Sequence, residues 1–194
     1  MHTIVAGPDC RFGYERRGNL TFLEEQRRGR YEVRRVEKEQ WRGEAISSTR
    51  IRDALTVGMP EDAREMLGHP FSFHGTIVHG RALGRQMGFP TINLEVSPEK
   101  LVPRKGVYAV WVKIDGKTHI GVANVGVKPT ISGVNAVGVE SYIYHFREDV
   151  YGKEAEVSLA KFIRPERRFD SLQELQQQVT ADKEQVLQYW GEEA

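Results

Sequence analysis

From residue 73 onward, apolar side chains recur in short runs at the spacing of strands, not of helices. Gly-Val-Tyr-Ala-Val-Trp-Val-Lys-Ile over 106–114 and the stretch from His119 to Val125 flank Asp115-Gly116, a strong signal for a tight hairpin. Gly138 to Phe146 and Ala155 to Ile163 read as two further strands, joined through Asp149 to Gly152. Stretches near 73–79 and 91–94 bring the count to about six, with no helix-length segment between them, and this predicts a closed or nearly closed antiparallel barrel. Over residues 171–190 the period changes. Leu172, Leu175, Val179, Val186, Leu187 and Trp190 recur at helical spacing, Ser171 and Glu174 form a capping box, and the apolar face is predicted to pack on the barrel.

The first 58 residues have a different pattern. Residues 3–7 (Thr-Ile-Val-Ala-Gly) predict a short buried strand that runs into a Gly-Pro-Asp turn, and Leu20 and Leu23 among charged residues predict a helix. Tyr31 to Val36 alternates imperfectly as a second strand, and Ile46-Ser47-Ser48-Thr49-Arg50-Ile51-Arg52 offers a capped helix start. Strand, helix, strand, helix is α/β grammar, yet two strands make a poor sheet. Between Met59 and His69, Pro60, Ala63, Met66 and Leu67 predict a short amphipathic helix ended by Gly68. The expected organisation is therefore 1–58, a linker helix over 59–69, and a main domain over 70–194.

Composition narrows the partners. Lys plus Arg exceed Asp plus Glu by one in 194 residues, so no global field points to nucleic acid or membrane. Residues 1–58 carry 12 basic and 9 acidic side chains, a mild local excess. The single cysteine, Cys10, excludes an internal disulfide framework. No signal peptide or long apolar run is present in the sequence, so a soluble, cytoplasmic protein is expected.

Candidate chemistry concentrates between residues 80 and 93. Gly80, Gly84 and Gly88 allow close backbone approach to a ligand, and Arg81 and Arg85 supply charge that suits phosphate. Pro90 pushes the chain toward extended geometry, so Thr91 and Asn93 fall on one side of a short strand. A hydroxyl and an amide carbonyl suit Mg²⁺, which takes most of its negative charge from substrate phosphates. An ordinary Gly-rich turn before a strand reads equally well from spacing alone. The segment is not a Walker loop, because the Gly-Lys-Ser/Thr ending is missing.

His74-Gly75-Thr76-Ile77-Val78-His79-Gly80, then Gly84-Arg85 and Gly88-Phe89-Pro90-Thr91-Ile92-Asn93, resembles the signature of riboflavin kinases, whose usual ending is Pro-Thr-Ala-Asn. Gly7-Pro8-Asp9-Cys10-Arg11-Phe12-Gly13 and Ile46-Ser47-Ser48-Thr49-Arg50 resemble the last motifs of the adenylyltransferase domain in bacterial bifunctional riboflavin kinase/FAD synthetases. The His-x-Gly-His motif of that domain has no counterpart here, and Cys10 stands where the family usually has Phe. The resemblance implies a six-stranded antiparallel Greek-key barrel with a C-terminal helix, preceded by a partial Rossmann-like α/β remnant. The two strands of that remnant lack sheet partners, and the open edge and apolar face they leave could be covered in a homodimer.

The resemblance also implies roles. By pattern alone Glu140 is a solvated strand carboxylate, on the face opposite Val137, Val139, Ser141 and Ile143; Asn124-Val125-Gly126-Val127-Lys128-Pro129-Thr130 and Val139-Glu140 resemble the kinase flap and its catalytic glutamate. Ser132 to Asn135 would belong to that flap. Gly80, Arg81, Gly84, Arg85, Gly88 and Thr91 would bind ATP, Thr91 and Asn93 would hold Mg²⁺, and Asn124 and Arg164 would contact flavin. The implied activity is ATP- and Mg²⁺-dependent conversion of riboflavin to FMN. The rivals are a bifunctional enzyme that also makes FAD, and a non-catalytic flavin-binding regulatory module.

Overall fold

The computed structural model describes residues 2–80, 84, 88–129 and 135–191, in two compact units, 1–47 and 48–194. In the first, β1 (Thr3–Ala6) pairs in parallel with β2 (Glu32–Arg35), with Thr3 opposite Glu32 and Ala6 opposite Arg35. Helix α1 (Leu20–Gln26) connects them, and its cap is Asn19, whose side chain accepts from the Phe22 amide at 2.9 Å. A parallel pair needs such a crossover, so this much of the α/β expectation is present. Two short strands follow, β3 (Gln40–Trp41) and β4 (Glu44–Ala45), an antiparallel pair that the sequence pattern did not predict.

The division after Ser47 differs from the expected boundary at 58. Helix α2 (Ser48–Val57) belongs with the second unit, next to α3 (Pro60–Leu67). Leu55 is buried, and its carbonyl accepts from the amides of both Gly58 and Arg104. Gly68 closes α3 in the left-handed conformation at φ 77°, as its position in the sequence predicted.

Six strands then close a barrel: β5 (Ser72–Val78), β6 (Thr91–Val96), β7 (Gly106–Ile114), β8 (Lys117–Pro129), β9 (Asn135–Ile143) and β10 (Glu154–Pro165). Every pairing is antiparallel, in the closed order β10-β5-β6-β9-β8-β7. Strands β7, β8 and β9 form consecutive hairpins and β10 returns beside β7, which is the Greek-key arrangement. Asp115 and Gly116 turn the first hairpin with φ of 50° and 78°.

Alternation sorts each strand into two layers. Phe73, Ile77, Leu94, Val110, Val139 and Leu159 fill the barrel interior, together with Tyr108. Burial raises the pKa of Tyr108 well above the ordinary tyrosine range, which keeps it a donor, and its hydroxyl bonds the Arg104 carbonyl. The outward Val107, Ala109, Val122 and Ala160 pack with Val186 and Leu187 of α4 (Leu172–Trp190). Ser171 caps that helix by accepting from the Glu174 amide at 3.1 Å. Among the described residues no helix is long and apolar enough to cross a membrane.

Candidate functional site

The strand register gathers residues far apart in sequence into one row across the outside of the barrel. Asn93 on β6 is opposite Glu140 on β9, Glu140 is opposite Asn124 on β8, Asn124 is opposite Val107 on β7, and Val107 is opposite Arg164 on β10. Because neighbours in register share a face, all four polar candidates from these strands lie on one side of the wall. The interior takes Val139 and Ile143, and this leaves Glu140 and Tyr142 on the outer face.

At the centre, Thr91 Oγ1 donates to Glu140 Oε1 at 2.6 Å. This is a diagonal contact, since Thr91 is opposite Tyr142. Asn93 is buried at 6% exposure next to the same carboxylate. The glycines of the preceding loop have a definite geometric task. A Cβ on Gly80 would lie 2.1 Å from Asn93 Nδ2, and one on Gly84 would lie 2.4 Å from the Phe89 carbonyl and 3.3 Å from Thr91 Oγ1. The backbone at 80 and 84 therefore lies directly against the two oxygen donors. Gly88 turns the chain with φ 81°. Arg81, Arg85, Thr130 and Ser132 to Val134 lie outside the described residues.

A cleft of about 790 Å³ opens over this row, between the barrel wall and α4. Phe89, Val107, Val122, Tyr142, Leu175 and Val179 give it apolar walls, while Thr91, Asn124, Glu140, Arg164, Glu166 and Asp182 bring polar groups to it. A second cleft of about 430 Å³, lined by Pro90, Ile92, Ser141, Arg147, Asp149 and Tyr151, shares Thr91 with the first. His79, at the start of the glycine loop, stacks on Tyr151 with centroids 3.7 Å apart.

The cleft's charges are mostly engaged with one another. Two register shifts in β10, at Leu159/Lys161 and Phe162/Arg164, leave the consecutive Ile163 and Arg164 both directed to α4. Arg164 donates from Nε to Asp182 Oδ1 at 2.8 Å and from Nη2 to Oδ2 at 2.7 Å, and Gln178 Nε2 donates to Oδ1 at 2.8 Å. Its guanidinium is thus spent on tying β10 to the helix. Arg167 donates to Glu174 and Gln178 and lies over Phe169. Asn124 Nδ2 donates to Glu166 Oε1 at 3.2 Å.

Among the large aromatics of these strands, Tyr142 lines the cleft, whereas Tyr108 is interior and Trp111 packs on Trp190. Sequence reading missed Gln178, Asp182 and Lys183 as site neighbours. All three lie on the barrel-facing side of α4, where only the spacing of its apolar residues could have indicated which polar positions turn inward.

Residues 67–190 match the riboflavin kinase family, Flavokinase. The chain is 38% identical over 188 residues to the bifunctional riboflavin kinase/FMN adenylyltransferase of Listeria monocytogenes, which covers 97% of this chain and 60% of that protein. The protein of the same name from Escherichia coli strain K12 is also 38% identical, over 192 residues, again with 97% and 60% covered. A crystal structure described as a macrolide-efflux protein from Streptococcus pneumoniae superposes with a TM-score of 0.83 at 35% identity, over 95% of this chain and 59% of that one. The chain spans about 60% of the length of the curated relatives it matches. On the match over 67–190, the chain belongs to the riboflavin kinase family.

Proposed function

We propose that this chain transfers the terminal phosphoryl group of ATP to the 5′-hydroxyl of riboflavin, giving FMN and ADP. The observation that carries the reading is the Thr91–Glu140 hydrogen bond at the seam between the two clefts. Phosphoryl transfer needs two substrates that meet end to end at a proton acceptor, and a shared residue between two clefts suits that need. The larger cleft, at about 790 Å³ with apolar walls, suits a flavin ring system, and its polar row suits the ribityl chain. The smaller cleft suits the nucleoside end of ATP.

Glu140 is the general base in this reading. As the ribityl oxygen bonds to the γ-phosphorus and the bond from that phosphorus to the β,γ-bridging oxygen breaks, the hydroxyl proton passes to Glu140 and ADP departs. Thr91 steadies the carboxylate through its hydrogen bond. The residues fit Mg²⁺: a hydroxyl oxygen and a buried amide lie together, pressed on by Gly84 and Gly80, and among the described residues no cluster of three His, Cys, Asp or Glu competes for the role. Thr91 and Asn93 would hold the ion, which when bound shields the charge of the phosphates. Asn124, fixed by Glu166, contacts the flavin, and Arg164 shapes the wall by holding α4.

Incubation with riboflavin, ATP and Mg²⁺, followed by chromatographic identification of the flavins, tests the proposal. FMN should accumulate with stoichiometric ADP; riboflavin that stays unchanged under saturating nucleotide and metal would refute it.

A further inference from the structure

Lys183 occupies a position that the reaction as written does not use. It lies on α4 immediately after Asp182, half-buried, and its carbonyl accepts from Tyr144 Oη at 2.6 Å. Its Nζ is 4.5 Å from the centroid of Phe89 and 4.1 Å from that of Tyr142. The two rings meet edge to face, 6.4 Å apart at 88°. One ammonium therefore bridges two aromatic rings of the larger cleft.

Those two aromatics flank the transfer pair. Phe89 is two residues before Thr91 on the way into β6, Tyr142 is two residues after Glu140 on β9, and Tyr142 is the register partner of Thr91. Phe89 is further tied to the glycine loop, since its amide donates to the Gly84 carbonyl at 2.7 Å. A shift of the Phe89 backbone away from Tyr142 would carry Thr91 relative to Glu140 or deform the strand pairing between them.

We propose that Lys183 is a positioning residue for phosphoryl transfer, acting through Phe89 and Tyr142 on the Thr91–Glu140 pair; this rests on reading that pair as the transfer site. A cation over an aromatic face is a modest attraction, strengthened where water is partly excluded, and here one charge serves two rings. Reacting groups displaced by about 1 Å can lose on the order of 10²-fold in rate, so partial release of the clamp should cost about 10-fold.

Lys183→Met keeps the length of the side chain and removes the charge. We expect kcat to fall about 10-fold at saturating riboflavin and ATP, the riboflavin KM to move less than about 3-fold, and Lys183→Arg to recover most of the loss. Combined with Tyr142→Leu, Lys183→Met should cost clearly less than it does alone, because one of the two rings it acts through is already gone. Amide hydrogen exchange over residues 89–92 should quicken in Lys183→Met and return toward the parent in Lys183→Arg. A kcat within 2-fold of the parent, failure of Arg to rescue, or full additivity with Tyr142→Leu would each overturn the assignment. A parent protein that makes no FMN refutes the reaction itself, and unchanged exchange over 89–92 in Lys183→Met would then refute the clamp separately.

Discussion

A carboxylate that accepts a hydroxyl hydrogen bond at 2.6 Å is well oriented to receive a hydroxyl proton, and Glu140→Gln separates the shape of that group from its basicity. The amide keeps the Thr91 hydrogen bond, yet it cannot take the ribityl proton. We expect kcat to fall by roughly 10²-fold or more while riboflavin affinity, followed by flavin fluorescence, holds within about 2-fold. An unchanged kcat would remove Glu140 from the mechanism. Gly80 gives a second test at this scale, because its Cβ would lie 2.1 Å from the Asn93 amide nitrogen. Gly80→Ala should push Asn93 aside and reproduce Asn93→Ala: both should raise the Mg²⁺ concentration needed for half-maximal rate several-fold, read from ATP titrations at fixed metal levels. Coincident titrations for parent and variants would reject the metal role. Strand alternation indicated only the face that Thr91, Asn93 and Glu140 share, and it was the resemblance to the kinase signature and flap that singled them out. Asp182 and Lys183 were not legible, since their contacts depend on how a helix docks and which strand bulges, information that no local period carries.

At the scale of elements, the junction between β10 and α4 decides the shape of the larger cleft. The bidentate Arg164–Asp182 pair is largely removed from water, with the side chains 19% and 4% exposed. Removal of one partner leaves the other charge buried, so Asp182→Ala should destabilise the barrel unit by roughly 3–5 kcal/mol, seen as a lower midpoint in denaturant at constant m-value. Loss of the cap in Ser171→Ala should cost only about 1 kcal/mol. If the two changes cost the same, the pair is not the anchor of the helix. The six strands, the Asp115-Gly116 turn and the helix cap were all readable, because each rests on a local rule. The β3–β4 pair escaped because two residues per strand carry no measurable period. The bulges in β10 escaped because a register shift is a property of the partner strand as much as of the strand itself.

For the molecule as a whole, the two units differ sharply in what holds them together. Among the described residues, the barrel unit has an interior with eighteen buried hydrophobic residues and a second apolar layer beneath α4. In the first unit, Leu20 is the buried apolar side chain among the described residues, while Val5, Phe22 and Val36 are 62%, 47% and 53% exposed. Apolar burial is the main term that offsets chain entropy, so the parallel β1–β2 pair gains little stability of its own. Leu55 is buried, and α2 falls within the second unit, on the well-packed side. Native-state hydrogen exchange should therefore find the amides of β1 and β2 exchanging on the order of 100-fold or more faster than those of β7 and β8, whose ladders lie in the closed barrel. Limited proteolysis should cut first within residues 2–47 and leave a resistant fragment that begins near α2, with Arg27, Arg28 and Arg30 among the exposed tryptic sites. Equal protection of β1 and β7, or first cleavage within the barrel strands, would show that contacts beyond the β1–β2 pair stabilise the first unit.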